Sequence, residues 1–190
     1  ATLVAEAQRA VQGRRFEEAE QKFRQALSYD EKNLLLLNNL AATYIDANRL
    51  DDAESTLNRT LAVDANDAQT LSLQGLLRFR QGKYDEALDV LSRAAQLDPD
   101  NPLTQNYLGV TLSQKGQRGP AETALRRAIQ LDPSYAEAHH NLAIVYATQK
   151  PPFFELAKFH YQKAIEAGQP RNPDLEKLFQ PGAGSGAGSK

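Results

Sequence analysis

The chain has 190 residues, 41% of them hydrophobic and 24% charged, which is the composition of a folded, soluble protein and not of a disordered one. Its net charge is -2, from 22 basic and 24 acidic residues without a basic block, so we expect neither nucleic acid nor an anionic membrane as a partner. The absence of cysteine excludes disulfides, thiolate catalysis and cysteine-ligated metals. No apolar run approaches the ~20 residues that a membrane-spanning helix needs, so membrane insertion is not expected.

The two ends of the chain differ from its middle. Residues 1–10 lack the apolar core of a signal peptide. The sequence does not determine the cellular compartment, and we favour the cytoplasm slightly over the periplasm. The absence of methionine, at residue 1 as elsewhere, suggests a processed, trimmed or engineered piece. Residues 181–190 are rich in Gly, Ala and Ser, and we predict a flexible linker or tag remnant there, outside the fold.

The rest of the chain repeats itself every 34 residues, a period that is typical of folds built from repeated helical units. A fifth copy follows with a slip of two residues, at the turn that holds Pro151 and Pro152. The positions that show the period best are Ala19, Ala53, Ala87 and Ala121, and Asp30, Asp64, Asp98 and Asp132. We therefore predict one array over residues 1–180, with repeats at about 1–33, 34–67, 68–101, 102–135 and 136–169.

Each repeat is predicted to contain two helices joined by a tight turn. In the third repeat, apolar residues recur at helical spacing over Ala68–Gln81 and again over Tyr84–Leu97. Gly82 lies between them and has a counterpart in Asn48, and Gly and Asn best tolerate the left-handed conformation that ends a helix. In the first repeat Gly13 comes one residue early, so we expect that turn to differ.

The ends of the predicted helices carry capping signals. Asn33, Asp67 and Asn101 recur at the same step and are predicted to cap the N-termini of first helices. A short helix at about 173–179 is predicted to cover the end of the array, because the last repeat would otherwise expose an apolar face. The side chains that can cover it are Leu175, Leu178 and Phe179.

No combination of residues indicates catalysis. His139 and His140 are neighbours on a helix, so their side chains diverge by about 100°, and His160 is alone in a second helix. Gly82 and Gly116 mark turns, and no Gly-Lys-Ser/Thr sequence of a phosphate loop follows them. Acidic pairs such as Asp51 and Asp52 open second helices, where they suit the helix dipole. We predict no enzyme activity, no metal and no cofactor.

The whole pattern resembles the tetratricopeptide repeat family over about residues 1–167. The resemblance rests on the period, on Leu108-Gly109 and Leu142-Ala143 in first helices, on the alanines of second helices and on the Asp-Pro helix ends. The chain departs from the family pattern in having no tryptophan. The resemblance implies an all-α, right-handed superhelical solenoid of helix-turn-helix repeats, here five repeats and a capping helix.

In that family, the first helix of each repeat lines a concave groove that binds extended or helical peptides. The resemblance therefore implies a scaffold for a protein or peptide partner, and packing between repeats is the alternative for each candidate residue. The cations with which the family clamps a terminal carboxylate are missing, so we predict no such clamp. By position, the candidate groove residues are Asn38, Ala42, Ile45, Ser72, Leu76, Phe79, Asn106, Val110, Ser113, His140, Ile144 and Ala147.

A second hypothesis is structural, namely self-association in a homo- or hetero-oligomer, or an engineered assembly subunit. Four consecutive leucines, Leu34 to Leu37, sweep about 300° around a helix, so one helix cannot bury them all equally. Leu34 and Leu35 are therefore candidates for an oligomer interface, and burial against the preceding repeat is the alternative. Phe153, beside the two prolines, poses the same choice.

Overall fold

A computed structural model describes residues 2–179, which form eleven helices and no strand, so the predicted all-α fold is confirmed. The predicted linker at 181–190 lies outside the described residues. In chain order the helices are α1 (Thr2–Gln12), α2 (Phe16–Leu27), α3 (Leu34–Asp46), α4 (Leu50–Val63), α5 (Ala68–Arg80), α6 (Tyr84–Leu97), α7 (Pro102–Gln114), α8 (Arg118–Leu131), α9 (Ala136–Thr148), α10 (Phe154–Glu166) and α11 (Pro173–Leu178).

The helices fall into two compact units, which divide between Pro99 and Asp100. The first unit contains three helical hairpins, in which α1 packs on α2, α3 on α4 and α5 on α6. Consecutive hairpins contact each other through α2 and α3, and through α5, which packs on both α3 and α4. In the second unit, α7 packs on α8 and α9 on α10, while α8 and α7 meet α9 and the short α11 also rests on α9. We call the leading member of each hairpin (α1, α3, α5, α7 and α9) a first helix, and the other a second helix.

Small residues let the two helices of a hairpin approach closely. The four periodic alanines of second helices are fully buried, as a packing role predicts. Glycine does the same on the first helices α5 and α7. A Cβ at Gly75 would lie 2.4 Å from Cγ of Leu91, and one at Gly109 would lie 2.6 Å from Cγ of Leu125. Neither site has room for a methyl group without moving a buried leucine.

The turn between first and second helix has the same left-handed residue in each of the first three hairpins. Asn48 has a φ of 58° and Gly82 one of 75°, which confirms the predicted left-handed ends. The expectation of a different first turn was wrong, because Arg14 takes the position with a φ of 55°. Its neighbour donates Arg15 N–H to the Ala10 carbonyl at 2.8 Å, the bond that Arg49 repeats 34 residues later. The helix-ending bond therefore sets this turn, even where no Gly or Asn is present.

The predicted N-caps are confirmed at three first helices. The side chain of Asn33 accepts from the Leu36 N–H at 3.1 Å, and that of Asp67 accepts from the Thr70 N–H at 2.8 Å. Asn101 does the same for the N-terminus of α7. Each cap satisfies a backbone donor that the helix itself leaves unpaired, so the starts of α3, α5 and α7 are fixed by side chains.

Candidate functional site

Asn38, which sequence position assigned to the groove, is instead buried and bonded between two first helices. It is 1% exposed, its Nδ2 donates to Oδ2 of Asp67 at 2.9 Å, and its Oδ1 accepts from the Thr70 hydroxyl at 2.8 Å. Burial alone would raise the pKa of Asp67, but the bonds from Thr70 and Asn38 hold that pKa below its ordinary value. Asn38 thus joins α3 to the N-terminus of α5, and its amide is not available to a ligand.

Asn106 has the same role in the second unit. It is 2% exposed, and its Oδ1 accepts from Nδ2 of Asn141 at 3.0 Å. Its own Nδ2 lies 3.5 Å from the hydroxyl of Tyr135, the residue before α9. The amide that sequence position assigned to the groove is again used to join consecutive first helices, here α7 and α9.

Burial separates the remaining candidate groove residues into two classes. Each of α3, α5 and α9 packs on its own second helix and on helices of the preceding or following hairpin, so only a narrow stripe of its surface stays open. Four candidates lie inside this packing, contrary to their assignment to the groove surface: Ile45, Ser72, Leu76 and Ala147. Six are partly exposed: Ala42, Phe79, Val110, Ser113, His140 and Ile144.

A cavity of about 420 Å³ opens between the first helices α1 and α3. The buried Phe23 of α2 and polar side chains of α1 and α3 contribute to its lining. One candidate groove residue, Ala42, lies on its wall, where the small side chain leaves the space open. The lining residues are Gln8, Val11, Gln12, Phe23, Asn39, Ala42, Thr43 and Asp46.

The second unit has a smaller cavity, of about 60 Å³, at the equivalent place between α7 and α9. Every residue that lines it lies 102 residues, or three repeat periods, after one that lines the first cavity, as Asn141 follows Asn39 and Leu125 follows Phe23. Three candidate groove residues contribute to it. Its lining residues are Val110, Ser113, Gln114, Leu125, Asn141, Ile144 and Val145.

One residue that lines the first cavity has an amide donor without a partner among residues 2–179. Nδ2 of Asn39 is buried and has no hydrogen-bond partner among the described residues. Asp46 lies at the end of α3, where burial raises the pKa of its carboxyl against the opposing charges of Arg80 and Arg14. A buried donor without a partner costs about 1–3 kcal/mol, so a ligand acceptor placed at Asn39 would recover part of that free energy.

His140 and the candidate interface residues lie apart from these cavities. The ring of His140 lies 6.3 Å from that of Tyr161, and its Nδ1 is buried without a partner among residues 2–179. Of the candidate interface residues, Leu34 is half-buried, whereas Leu35 is 57% exposed and Phe153 is 47% exposed. Solvent thus reaches all three side chains, and Leu34 least.

The sequence analysis missed a contact between two histidines. His139 Nε2 lies 3.2 Å from the Pro133 carbonyl, which can only accept, so Nε2 carries the proton. Nδ1 of His139 is then an acceptor, and it receives the Nδ1–H of His160 at 2.9 Å. The two residues lie 21 positions apart on consecutive helices, and only the packing of α9 on α10 brings them together. Burial lowers the pKa of both rings, and that of His160 falls to about 4.

The described residues hold no cluster of three or more His, Asp or Glu side chains that could bind a metal ion. Within residues 2–179, every helix is too short or too polar to cross a membrane.

Sequence profiles of tetratricopeptide repeats match this chain in consecutive segments. A profile described as tetratricopeptide repeat matches residues 10–77, and one described as TPR repeat matches residues 75–116 and 120–150. No curated protein matches the sequence.

Solved structures of tetratricopeptide proteins are similar to the whole chain. A thermophilic protein of Thermus thermophilus shares 21% identity with a TM-score of 0.77, covering 94% of this chain and 95% of its own. PilF of Pseudomonas aeruginosa shares 20% identity with a TM-score of 0.74, covering 93% and 79%. MamA of Desulfovibrio magneticus shares 19% identity with a TM-score of 0.63, covering 85% and 90%. At these identities the similarity describes the fold.

Proposed function

Because the chain belongs to the tetratricopeptide repeat family, whose repeats generally serve as non-catalytic protein-interaction modules, we propose that it is a scaffold that binds a protein or peptide along its first helices. The observation that carries this proposal is the cavity between α1 and α3, whose lining includes Asn39 with its buried, unpaired Nδ2. The recurrence of the cavity between α7 and α9 supports a site that belongs to the repeat and not to one local irregularity.

The lining residues favour a neutral, extended segment as the ligand. Apart from the Asp46 carboxyl in the first, both cavities are lined by amide, hydroxyl and apolar side chains, and neither lining set includes Lys or Arg. Asn39 can donate to a backbone carbonyl, while Val11 and Phe23 offer apolar contact to a side chain. Because the walls are packed helices, little of the binding free energy is lost in ordering the site. The first cavity is the stronger candidate, since Nδ2 of Asn141 already donates to Asn106 in the second.

The proposal is tested by selecting binders from a displayed peptide library with the whole chain and measuring their affinity by calorimetry. Ala42→Trp fills the cavity wall, and we expect it to weaken binding by at least about tenfold, which is ~1.4 kcal/mol. Ala62→Trp is the matched control, because Ala62 is exposed on the second helix α4. The proposed site would be contradicted if the two variants lost peptide affinity equally, or if neither lost any.

A structural role in self-assembly is the second candidate, because the partly exposed Leu35 and Phe153 place apolar surface in solvent. Self-assembly and peptide binding are compatible, since they would use different surfaces.

A further inference from the structure

Among the described residues that line the two cavities, only Asp46 carries a charge. It is the last residue of α3, and solvent reaches its side chain, so a ligand can reach it as well. The other side chains around the first cavity are amides, a hydroxyl and apolar groups. The carboxyl of Asp46 therefore determines the charge that a ligand meets there.

Two arginines attract this carboxyl without pairing with it. Arg14 and Arg80 act on Asp46 through their charge alone, and neither donates a hydrogen bond to it. Burial outweighs both charges, so the pKa of Asp46 lies above its ordinary value. The guanidinium of Arg14 instead lies over the ring of Phe16, 5.4 Å from the ring centroid. A partly desolvated carboxylate without a bonded partner gains free energy when a ligand supplies a cation.

The helix ends around the cavity add to its negative potential. The lining comes from the last two turns of α1, between residues 8 and 12, and from the last two turns of α3, between residues 39 and 46. The C-terminal end of a helix carries roughly half an elementary negative charge. Two such ends lie at this cavity, so both helix dipoles favour a cation where Asp46 lies.

The repeat itself does not require an aspartate at this position. Each of the five first helices ends there, and the counterparts of Asp46 are Gln12, Arg80, Gln114 and Thr148. None of the four is acidic. An acidic side chain at a helix C-terminus is unfavourable, because it opposes the dipole. Asp46 is thus a departure from the other repeats that stability does not explain, and it lies at the proposed binding site.

We propose that the segment bound in the first cavity, otherwise neutral, places one basic side chain, Lys or Arg, against the carboxyl of Asp46. This inference rests on the function proposed above, because it specifies the ligand of the same site. Asn39 and Asp46 lie seven residues apart on α3, which is about 10 Å along the helix. An extended segment covers that distance in about three residues. The basic residue therefore lies about three positions from the backbone carbonyl that Asn39 binds.

The second cavity does not share this preference. Thr148 stands at the position of Asp46, and its hydroxyl donates to the Ile144 carbonyl at 2.8 Å. No charged side chain lines that cavity among the described residues. The selection of a basic residue is therefore a property of the first cavity alone.

A displayed peptide library, selected with the whole chain, tests the inference. The native chain should enrich Lys or Arg at one position by at least about tenfold, and Asp46→Asn, which keeps the size of the side chain, should lose this enrichment. Asp51→Asn is the matched control, since it removes the same charge from an exposed site on α4, and it should keep the enrichment. Asp46→Asn should not lower the melting temperature, because it removes a charge that opposes the dipole of α3.

Calorimetry on synthetic peptides then measures the pairing directly. The peptides are N-acetylated, so that a terminal ammonium group cannot replace the basic side chain. The native chain should bind the selected peptide at least about tenfold more tightly than its counterpart with glutamine at the basic position. Asp46→Asn should bind the two within about twofold of each other, and Asp46→Lys should prefer a counterpart with glutamate there.

The outcomes separate this inference from the proposed function. Peptides that Ala42→Trp weakens but that show no basic preference, or whose preference survives in Asp46→Asn, would overturn the inference and leave the first-helix site standing. Peptides that Ala42→Trp does not weaken would contradict the site itself, and the inference with it.

Discussion

Two adjacent asparagines on α3 have opposite roles. The amide of Asn38 is bonded inside the protein, whereas Asn39 lines the cavity and its Nδ2 has no partner among the described residues. The same side chain thus serves the stability of the unit at one position and is proposed to serve binding at the next. Substitutions at these two neighbouring positions can therefore test stability and binding separately.

We predict that Asn38→Ala lowers the free energy of unfolding by about 2 kcal/mol, because Asp67 and Thr70 each lose a buried partner. Asn39→Ala should change that free energy by less than about 0.5 kcal/mol, since it removes an unpaired donor, but should weaken a selected peptide. Hydrogen exchange in α3 and α5 measures the first effect, and calorimetry the second. A larger stability loss for Asn39→Ala than for Asn38→Ala would contradict both assignments.

The histidine pair makes the second unit sensitive to pH. The pKa of His160 is about 4 in the folded chain, lowered by burial and then by the charges of His139 and Arg126 against that of Glu122. The pKa of His139 is lowered by burial, and Lys163 adds to the effect against the bond to Pro133. An unfolded chain would bind protons on both rings at a higher pH than the folded chain does.

Stability of the α9–α10 hairpin should therefore fall as the pH is lowered from the ordinary histidine range near 6.5 toward 4, and should level off below. Hydrogen exchange corrected for intrinsic rates should show faster opening of α9 and α10 at pH 5 than at pH 7. The amides of α3 and α4, which contain no histidine, are the internal control. His160→Gln should reduce the pH dependence and leave the share of His139 and His140, whose pKa values burial also lowers. An unchanged profile would show that His160 does not contribute to it.

At the scale of the helices, two glycines of the second unit differ in the space around them. Gly109 on α7 faces Leu125 of α8 too closely for a Cβ, whereas Gly119 near the start of α8 has nothing within 4 Å of one. We predict that Gly109→Ala destabilises by about 1–3 kcal/mol through overpacking. Gly119→Ala should stabilise by roughly 0.5–1 kcal/mol, because alanine favours the helix. Thermal unfolding of the two variants checks the opposite signs, and a stabilising Gly109→Ala would show that the hairpin is looser than described.

The repeat period predicted helices well, because each helix leaves a local pattern. Tyr84–Leu97 was predicted with the bounds of α6, and Ala68–Gln81 exceeds α5 by one residue. The period could not predict which side of a first helix stays open, since contacts with neighbouring hairpins decide it. Asn38 and Ile45 were therefore assigned to the groove surface, although both are buried.

Two further features were hidden for different reasons. The exposed Leu156 and Phe159 of α10 were missed because the two-residue slip at Pro151 and Pro152 displaces the fifth repeat from its polar counterparts, although Phe153 beside them was identified. The histidine contact was missed because its two rings approach only after α9 and α10 pack. Aligning the repeats on Ala157 would have found the first feature from the sequence, whereas the second needs the fold.

At the scale of the whole molecule, one repeated unit provides two distinct kinds of surface. The first helices present cavities at equivalent places in each unit, proposed for a peptide, and the second helix α10 exposes the apolar side chains Leu156 and Phe159. Most of the packing is common to all repeats. We therefore expect the residues that differ between repeats to determine what the protein binds. They are concentrated at Asn39, at Ala42 and along α10.

The most direct test of the scaffold proposal is a hydrogen-exchange footprint of a selected peptide on the whole chain. The account predicts protection on α1 and α3, centred on Gln8, Asn39 and Asp46, with little change on the second helices α2 and α4. Protection confined to second helices, or to α10, would show that the peptide binds elsewhere and would contradict the first-helix site.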